Sequence, residues 1–529
     1  MRKFLLFAFS ILVLSSVAFA IEPKQVGSAF VDLKLEWDVQ GDFDGSKMLR
    51  TFGFPNTSFQ TIWLASNTPY TTEKDEFGND ILVFQWSENG FKDIELSVMA
   101  KASYDVPYVS GSAEDASKYS SSTKLVVVDD SIATQAHFLT KNAASDFEKL
   151  TRITEWVNNV MTYDDSFWQR QPTSSDVFIQ RRGVCNQYAL LAMALLRASG
   201  IPSRFVAGWV YSGKKWGPHA WLEAYIDGHW VPADPTYGEV GMLDGTHVVF
   251  AYGYDQLDIK EEFTGGLRIS KKQTVSFIES ASPRDFFDSE LFAPEKVGSS
   301  AAENITVSLK NRDSQERAIP LNLIVPTQPP ESAVQMADYP RRLAYLPSGG
   351  SGDVSWGVVF PDLKEGYLYN FTIEVDGFGK KQQAYVQGQA GLSSPLTERI
   401  ILKNIESVQG DGEIAIVATL SNAGNANARA NVAASLGSQS QEQTVLLQKG
   451  ETRDVRFVFK KPLADTHGEL AVTVGSNSFS QPFDIVEAEN GVVQLSQEGF
   501  DYQTVALVGA GAAVLIGLAF FLWRRAKTP

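Results

Sequence analysis

Cysteine is almost absent from this chain. Cys185 is the only one among 529 residues, so no disulfide can form within the chain. A single thiol in a long protein is either a small buried apolar residue or a reactive group. The surroundings of Cys185 in the sequence must decide between these two interpretations.

Positive charge and metal-binding patterns are also scarce. The net charge is −16 with a pI of about 4.9, and no cluster of basic residues interrupts it, which disfavours nucleic-acid binding. His137, His229, His247 and His467 do not follow the spacing of a metal site, and no calcium loop of the D-x-[DN]-x-[DN]-G kind is present. We therefore expect no metal and no cofactor.

Two long apolar runs stand at the ends of the sequence. Residues 1–20 combine Arg2 and Lys3 with an apolar stretch and an A-x-A site, the pattern of a signal peptide; an uncleaved anchor is the alternative. Residues 504–523 are twenty uncharged residues, long enough to span a hydrocarbon core of roughly 30 Å, although a buried core helix is also conceivable. Three basic residues follow in 524–529, which predicts a cytoplasmic tail.

These runs predict a single-pass protein of the cell membrane. The bulk of the chain would lie outside the cytoplasm, and a stalk at 489–503 would lead to the membrane helix.

The chain between these ends is too long for one hydrophobic core. Alternating stretches such as "DILVFQWS" (80–87) predict an N-terminal β-sandwich over 21–128. Helical and strand patterns mix over 129–262. In this part Phe147, Leu150, Ile153, Trp156, Val157 and Val160 follow helical spacing.

A weak repeat marks the last part of the chain. "VSLKN" (307–311) is echoed by "ATLSN" (418–422), and "DVSWGVVF" (353–360) is echoed by "DVRFVF" (454–459). The offset of about a hundred residues predicts two tandem sandwiches, at 263–390 and 391–488.

Cys185 stands where a helix is expected to begin. An apolar helical face follows it as far as Leu196, and Gly200 and Pro202 end the pattern. A helix N-terminus stabilises a thiolate through its dipole. Position alone leaves the buried, inert interpretation open.

The segment "HAWLEAYIDGHWVPADPTYG" (219–238) predicts a hairpin. Asp227-Gly228 favours a two-residue type I′ turn, which pairs Ile226 with His229. His219 and Asp234 then lie on one face as diagonal neighbours, with Cα atoms about 7–8 Å apart. A helix-start cysteine with these two residues fits a Cys–His–Asp triad.

The motifs resemble those of the transglutaminase-like superfamily. "RRGVCNQYALLAMALLRASGIPSRFVAGWV", followed by "HAWLE" and "WVPADPT", contains in order the elements G-x-C-x-x-[YF]-A, R-x-x-G-I-P-[AS]-R, H-A-W-x-E and W-x-x-x-D-P-T. The resemblance covers about 130–260 and implies an α+β papain-like core with Cys185 as nucleophile, His219 as base and Asp234 as orienting acid. The flanking sandwiches look like the immunoglobulin-like modules that often accompany such cores.

The rest of the site is less specified. The backbone N–H of Cys185 is a natural oxyanion donor, and the family often adds a side chain, for which Tyr163 and Gln180 are candidates. Three tryptophans are expected to line the cleft, although the first could equally belong to the core: Trp209, Trp216 and Trp221.

The sequence thus predicts a membrane-anchored, extracytoplasmic thiol enzyme. It would cleave amide bonds of a protein or peptide through an acyl-enzyme on Cys185. Two alternatives stay open: transfer of the acyl group to an amine, which crosslinks proteins, and a non-catalytic adhesion or scaffold protein. The intact triad argues against the latter.

Overall fold

A computed structural model describes most of the chain, and the described part is mostly β structure. No helix within it is long and apolar enough to cross a membrane. The segments predicted as signal peptide, membrane helix and tail lie outside it. The described residues are 23–329, 332–392, 400–409, 412–422, 427–448, 451–460, 466–474, 477–487 and 493–496.

The N-terminal part is built of strands, and burial alternates along the two longest of them. In Ser28–Gly41 every second residue is buried, as expected for a strand with one face on a core. The buried side chains, Trp37 among them, form one hydrophobic cluster. The strands are β1 (Ser28–Gly41), β2 (Lys47–Phe52), β3 (Gln60–Ser66), β4 (Thr71–Lys74), β5 (Asp80–Trp86), β6 (Gly90–Ser103) and β7 (Val109–Ser110).

The middle of the chain is an α+β core with helices against an antiparallel sheet. Its elements are α1 (Ala113–Ser117), α2 (Asp130–Thr140), α3 (Asp146–Val160), β8 (Thr162–Tyr163), α4 (Ser174–Gln180), β9 (Arg182–Gly183), α5 (Cys185–Ala198), β10 (Ser203–Tyr211), β11 (Trp216–Ile226), β12 (His229–Asp234), β13 (Glu239–Val240) and β14 (Val248–Gly253).

The sheet has the order β13-β12-β11-β10-β14, and β7 pairs with β12. Helix α5 is buried from Cys185 to Arg197 except at Asn186, and a helix that is buried on all sides occupies the centre of its domain. All six residues predicted for the helical face of α3 are buried.

The chain then returns to the first sandwich. Strands β15 (Glu262–Phe263) and β16 (Arg268–Ala281) complete its two sheets, which have the orders β16-β1-β6-β3 and β15-β2-β5-β4. The predicted boundary at 262/263 assigned β16 to the next domain. That boundary is wrong, because β16 pairs with β1 along almost its whole length. The core is therefore inserted between two parts of one sandwich.

The third unit is a sandwich of two sheets, in the orders β17-β19-β23-β21 and β18-β25-β24-β20-β22. Its strands are β17 (Phe287–Phe292), β18 (Lys296–Val297), β19 (Ala302–Asn311), β20 (Arg317–Ile324), β21 (Gln335–Met336), β22 (Arg341–Leu346), β23 (Ser351–Val359), β24 (Leu368–Gly377) and β25 (Lys380–Gln389).

The fourth unit also has two sheets, in the orders β26-β27-β30 and β29-β28-β31-β32-β33. The last strand, β33, lies inside the segment predicted as a stalk (489–503) and pairs with β32. The strands are β26 (Ile400–Gln409), β27 (Glu413–Asn422), β28 (Ala428–Leu436), β29 (Gln439–Leu447), β30 (Thr452–Lys460), β31 (Thr466–Val474), β32 (Asn477–Glu487) and β33 (Val493–Ser496).

The sequence repeat corresponds to one strand pair in each of these two units. β19 pairs with β23, and β27 pairs with β30. The Ser308 hydroxyl donates to Asp353 at 2.7 Å, and the Thr419 hydroxyl donates to Asp454 at the same distance. Each of the two units thus contains two sheets, and the assignment of both as immunoglobulin-like sandwiches stays a prediction.

The two units contact the core differently. Ala318 and Leu343 of the third unit belong to the hydrophobic cluster built around α5. The fourth unit has its own hydrophobic cluster, and its His467 reaches the core, 3.0 Å from the Arg181 guanidinium and 3.1 Å from the Gln135 side-chain oxygen. The third unit is therefore the one positioned to shape the site.

Candidate active site

Cys185 is the first residue of α5, as predicted. It is 3 % exposed. The tight turn before it requires glycine, because a Cβ at Gly183 would lie only 2.4 Å from the Cβ of Gln187. The Gln187 side-chain oxygen in turn accepts the Val184 N–H at 2.9 Å. These contacts hold the thiol at the positive end of the helix dipole.

The hairpin has the predicted turn and register. Asp227 and Gly228 both have positive φ, 50° and 82°, as a type I′ turn requires, and Ile226 pairs with His229. The His219 Nε2 and Asp234 Oδ2 atoms lie 2.7 Å apart.

The charges of the three groups support one another. Burial alone would lower the pKa of His219, but the negative charges of Asp234 and Cys185 and hydrogen bonds to both raise it to about 9. Burial alone would raise the pKa of Asp234, but His219 and His247 hold it well below its usual range. Because Nε2 is engaged by Asp234, Nδ1 of His219 is left for the thiol, which is the geometry of a Cys–His–Asp triad.

Asp234 has a second histidine partner that sequence reasoning missed. The His247 Nε2 lies 3.1 Å from the same Oδ2. The other carboxylate oxygen, Oδ1, accepts the N–H groups of Thr236 at 2.7 Å and Tyr237 at 3.2 Å. Asp234 is thus fully hydrogen-bonded although it is completely buried. In the sequence, the polar run "DGTH" (244–247) directly before an apolar strand marks His247 as a candidate functional residue. This run does not show that the partner of His247 is Asp234.

Of the two oxyanion candidates, the structure brings one to the thiol. The Tyr163 phenol forms a hydrogen bond with the Cys185 backbone. Burial of the phenol raises the pKa of Tyr163 to about 12. Gln180 is exposed at the end of α4 and does not line the cleft.

The prediction that three tryptophans line the cleft is wrong, since none of them is among its lining residues. Trp209 stacks on Phe54 of the first sandwich at 5.5 Å, because that sandwich covers this part of the sheet. Trp216 packs against Phe277 of the same sandwich at 4.9 Å. Trp221 is completely buried and stacks on the His219 ring at 6.0 Å.

A cleft of about 830 Å³ opens over the site, between the core and the third unit. Tyr163, Tyr188 and His219 line it from the core, and the third unit contributes Leu321 and Arg341. Part of a polypeptide fits a space of this size.

Two groups of buried side chains in the described part are close enough to hold a metal ion, with one atom of each residue within 4.8 Å of the others. His247 belongs to both groups. Its Nε2 faces Asp234, and its Nδ1 lies 3.2 Å from the Asp244 carbonyl oxygen. Since both ring nitrogens have hydrogen-bond partners, the arrangement fits a hydrogen-bonded network better than a metal centre. The groups are His219, Asp234 and His247, and Glu239, Asp244 and His247.

Comparison with known proteins identifies the core. Residues 133–235 match the transglutaminase-like superfamily core model. An uncharacterized protein of Mycobacterium leprae is 33% identical over 112 residues, which are 20% of this chain and 39% of that protein. The kyphoscoliosis peptidase of Mus musculus is 22% identical over 191 residues, which are 34% of this chain and 26% of the peptidase. The chain thus spans less than half the length of either curated relative.

A solved structure is also similar. It is a protein of Cytophaga hutchinsonii provisionally named a cysteine protease, with a TM-score of 0.38 and 19% identity over 48% of this chain and 91% of that one. Likeness at this level supports no conclusion about the reaction. The family match confirms the resemblance seen in the motifs: the chain carries a transglutaminase-like core domain, and the matched segment contains Cys185, His219 and Asp234.

Proposed function

We propose that this chain, which carries a transglutaminase-like core domain, is a thiol enzyme that cleaves amide bonds of peptides or proteins through an acyl-enzyme on Cys185. The observation that carries the proposal is the 2.7 Å contact between His219 and Asp234. It orients the other ring nitrogen of His219 toward a cysteine at the start of a helix.

The first half of the reaction forms the acyl-enzyme. The Cys185 thiolate attacks the amide carbon, and the backbone N–H of Cys185 donates to the oxyanion that develops, with the Tyr163 phenol as a second donor. The C–N bond then breaks as the His219 imidazolium gives its proton to the leaving amine. A thioester and a neutral imidazole remain.

The second half releases the acid. The neutral His219 removes a proton from water, and the water oxygen attacks the thioester carbon. The C–S bond breaks, the carboxylic acid leaves, and the thiolate–imidazolium pair is restored. Asp234 stays ionised throughout and keeps the ring oriented.

Hydrolysis and acyl transfer share the first half and differ in the acceptor. The sequence has no recognisable amine-binding motif, which favours water, and the name of the Mus musculus relative, a peptidase, agrees with this choice. The test is to incubate the protein with peptide mixtures, with and without a primary amine, and to read the products by mass. Shortened peptides that depend on Cys185 support hydrolysis, and adducts of the amine mean transfer. No Cys185-dependent product in either arm contradicts the proposal.

We further propose that the enzyme acts outside the cytoplasm as a single-pass membrane protein. The support is the composition of residues 1–20 and 504–523. In intact cells, external protease should digest the core domain and leave only the last few residues protected. Protection of the core domain would contradict this location.

A further inference from the structure

His247 is a buried histidine for which the proposed reaction has no role. It stands just before β14 and is completely buried. Its Nε2 lies 3.1 Å from Asp234 Oδ2, and its Nδ1 lies 3.2 Å from the Asp244 carbonyl oxygen and 3.5 Å from Asp244 Oδ1. The ring is therefore held between two carboxylate residues.

The hydrogen bonds of His247 determine its charge. Every partner atom of its two ring nitrogens is an acceptor: a carboxylate oxygen on one side, and a carbonyl and a carboxylate oxygen on the other. A neutral imidazole has a single N–H and would direct a lone pair at one of these oxygens, whereas the imidazolium donates from both nitrogens. A buried cation needs negative charge close by, and Asp234 and Asp244 supply it.

The electrostatics agree with this geometry. Burial by itself would lower the pKa of His247, but Asp244 and Asp234 raise it well above its usual value. The titratable groups that face or neighbour the His247 ring in the described structure are Asp234, Asp244, Glu239, His219, Tyr104 and Tyr237.

Glu239 and Asp244 complete the cluster. Glu239 Oε2 accepts the Asp244 N–H at 3.0 Å, while Glu239 Oε1 and Asp244 Oδ2 are buried without a hydrogen-bond partner in the described structure. Burial and the negative charge of Asp244 raise the pKa of Glu239 well above its usual value. The charges alternate in sign from His219 through Asp234 and His247 to Asp244.

We propose that His247 is a positioning residue for the reaction at Cys185: a buried imidazolium that holds the Asp234 carboxylate in place and keeps it ionised while it orients His219. The inference rests on the proposed function. His247 acts through Asp234, because both histidines share the same carboxylate oxygen. Without His247, Oδ2 would keep only the Nε2–H of His219 as a donor.

The charge of His247 can be measured without turnover. In the full chain labelled with ¹⁵N-histidine, long-range ¹H–¹⁵N spectra should show both ring nitrogens of His247 protonated from pH 6 to 8, with His247→Gln used to assign the signal. A ring with a single N–H in this range would overturn the inference. A divalent metal found bound by elemental analysis, with one His247 nitrogen deprotonated, would overturn it as well.

The effect on the reaction is read from the pH profile. His247→Gln keeps an N–H donor but removes a buried positive charge that stabilises the anionic groups of the site, so the acid limb of kcat/KM should move up by about one pH unit. At a pH on that limb the variant should lose about tenfold in kcat/KM relative to wild type. Loss of packing alone would lower kcat/KM equally at every pH, and that outcome would overturn a positioning role.

Two further variants keep the test decisive. His229→Gln makes the same change at an exposed histidine and should leave the profile unchanged. Asp244→Asn removes one of the two counter-charges of His247 and keeps the carbonyl acceptor, so in the ¹⁵N spectra of this variant His247 should lose its second proton at a lower pH than in wild type, which tests the inference if His247→Gln fails to fold. An unchanged titration of His247 in folded Asp244→Asn would contradict the inference. If Cys185→Ala leaves turnover intact, the proposed function fails, whatever the spectra show for His247.

Discussion

The two faces of the β11–β12 hairpin are similarly buried but have different roles. On one face Leu222 and Ala224 are completely buried in the hydrophobic cluster around α5. On the other face Asp234 is completely buried and His219 is 8 % exposed. Low exposure therefore does not distinguish a structural residue from a functional one in this chain.

The difference lies in the partners. The side chains of the apolar face contact other hydrocarbon groups, which stabilises the fold in proportion to the apolar area that is buried. On the polar face, His219 and Asp234 contact groups of opposite charge, each within hydrogen-bond distance of the next. Such groups are retained at a cost of desolvation. Changes on the polar face should therefore affect activity, and changes on the apolar face should affect stability.

The largest effect on activity is expected at the thiol that the polar face serves. Cys185→Ala removes the nucleophile, so turnover should be abolished while the circular dichroism spectrum and unfolding curve stay close to wild type. In the wild type, iodoacetamide should label Cys185 in the folded protein near pH 6. Labelling only after denaturation would support a buried, inert thiol.

The next largest effect on activity is expected for a graded series of substitutions at Asp234. Asp234→Asn can still accept a hydrogen bond from His219 but loses the charge, and Asp234→Ala loses both. We expect kcat/KM to fall in the order wild type, Asn, Ala, with a loss of about 10²-fold for Ala. Variants are compared at matched folding by circular dichroism. Equal activity of Asp234→Ala and wild type would remove Asp234 from the triad.

A smaller effect should follow from pH alone. The pKa of His219 is raised to about 9, so the imidazolium that protonates the leaving amine is present below this pH and lost above it. We expect kcat/KM at pH 10 to be about tenfold below its value at pH 8. The rate of iodoacetamide labelling should not fall over this range, because alkylation needs only the thiolate. A fall in kcat/KM together with a labelling rate equal to that of the denatured protein would point to unfolding.

The smallest effect on activity is expected on the apolar face. Leu222→Ala should lower the free energy of unfolding by about 2–5 kcal/mol, measured by denaturant titration. The kcat/KM of the molecules that remain folded should change less than about threefold, since side chains on this face do not touch the reacting groups. A loss as large as that of Asp234→Ala would mean that the two faces are not separable.

The features that could be predicted from the sequence depend on neighbours along the chain. The start of α5 follows from Gly183 and the apolar pattern after Cys185, and the hairpin register follows from the Asp227-Gly228 turn. Both elements carry the triad residues, so most of the candidate site was predictable.

The features that were missed depend on distant contacts. His247 meets Asp234 although β14 pairs with β10 and not with β12. Trp209 lies under a sandwich whose packing on the core no local pattern indicates. Period-2 alternation shows which side of a strand is buried, but it does not show what covers that side.

The insertion of the core between β6 and β15 has a consequence for how the protein is made. Ribosomes release the chain from its N-terminus, so β1 emerges long before β16, its partner along one edge. Until then a 14-residue strand has one row of unpaired backbone groups, which favours association with other chains. Release of the segment up to Ala281 both closes this edge and ties the core to the sandwich at its two ends. Nascent chains that stop short of this point should therefore depend on chaperones more than full-length chains do.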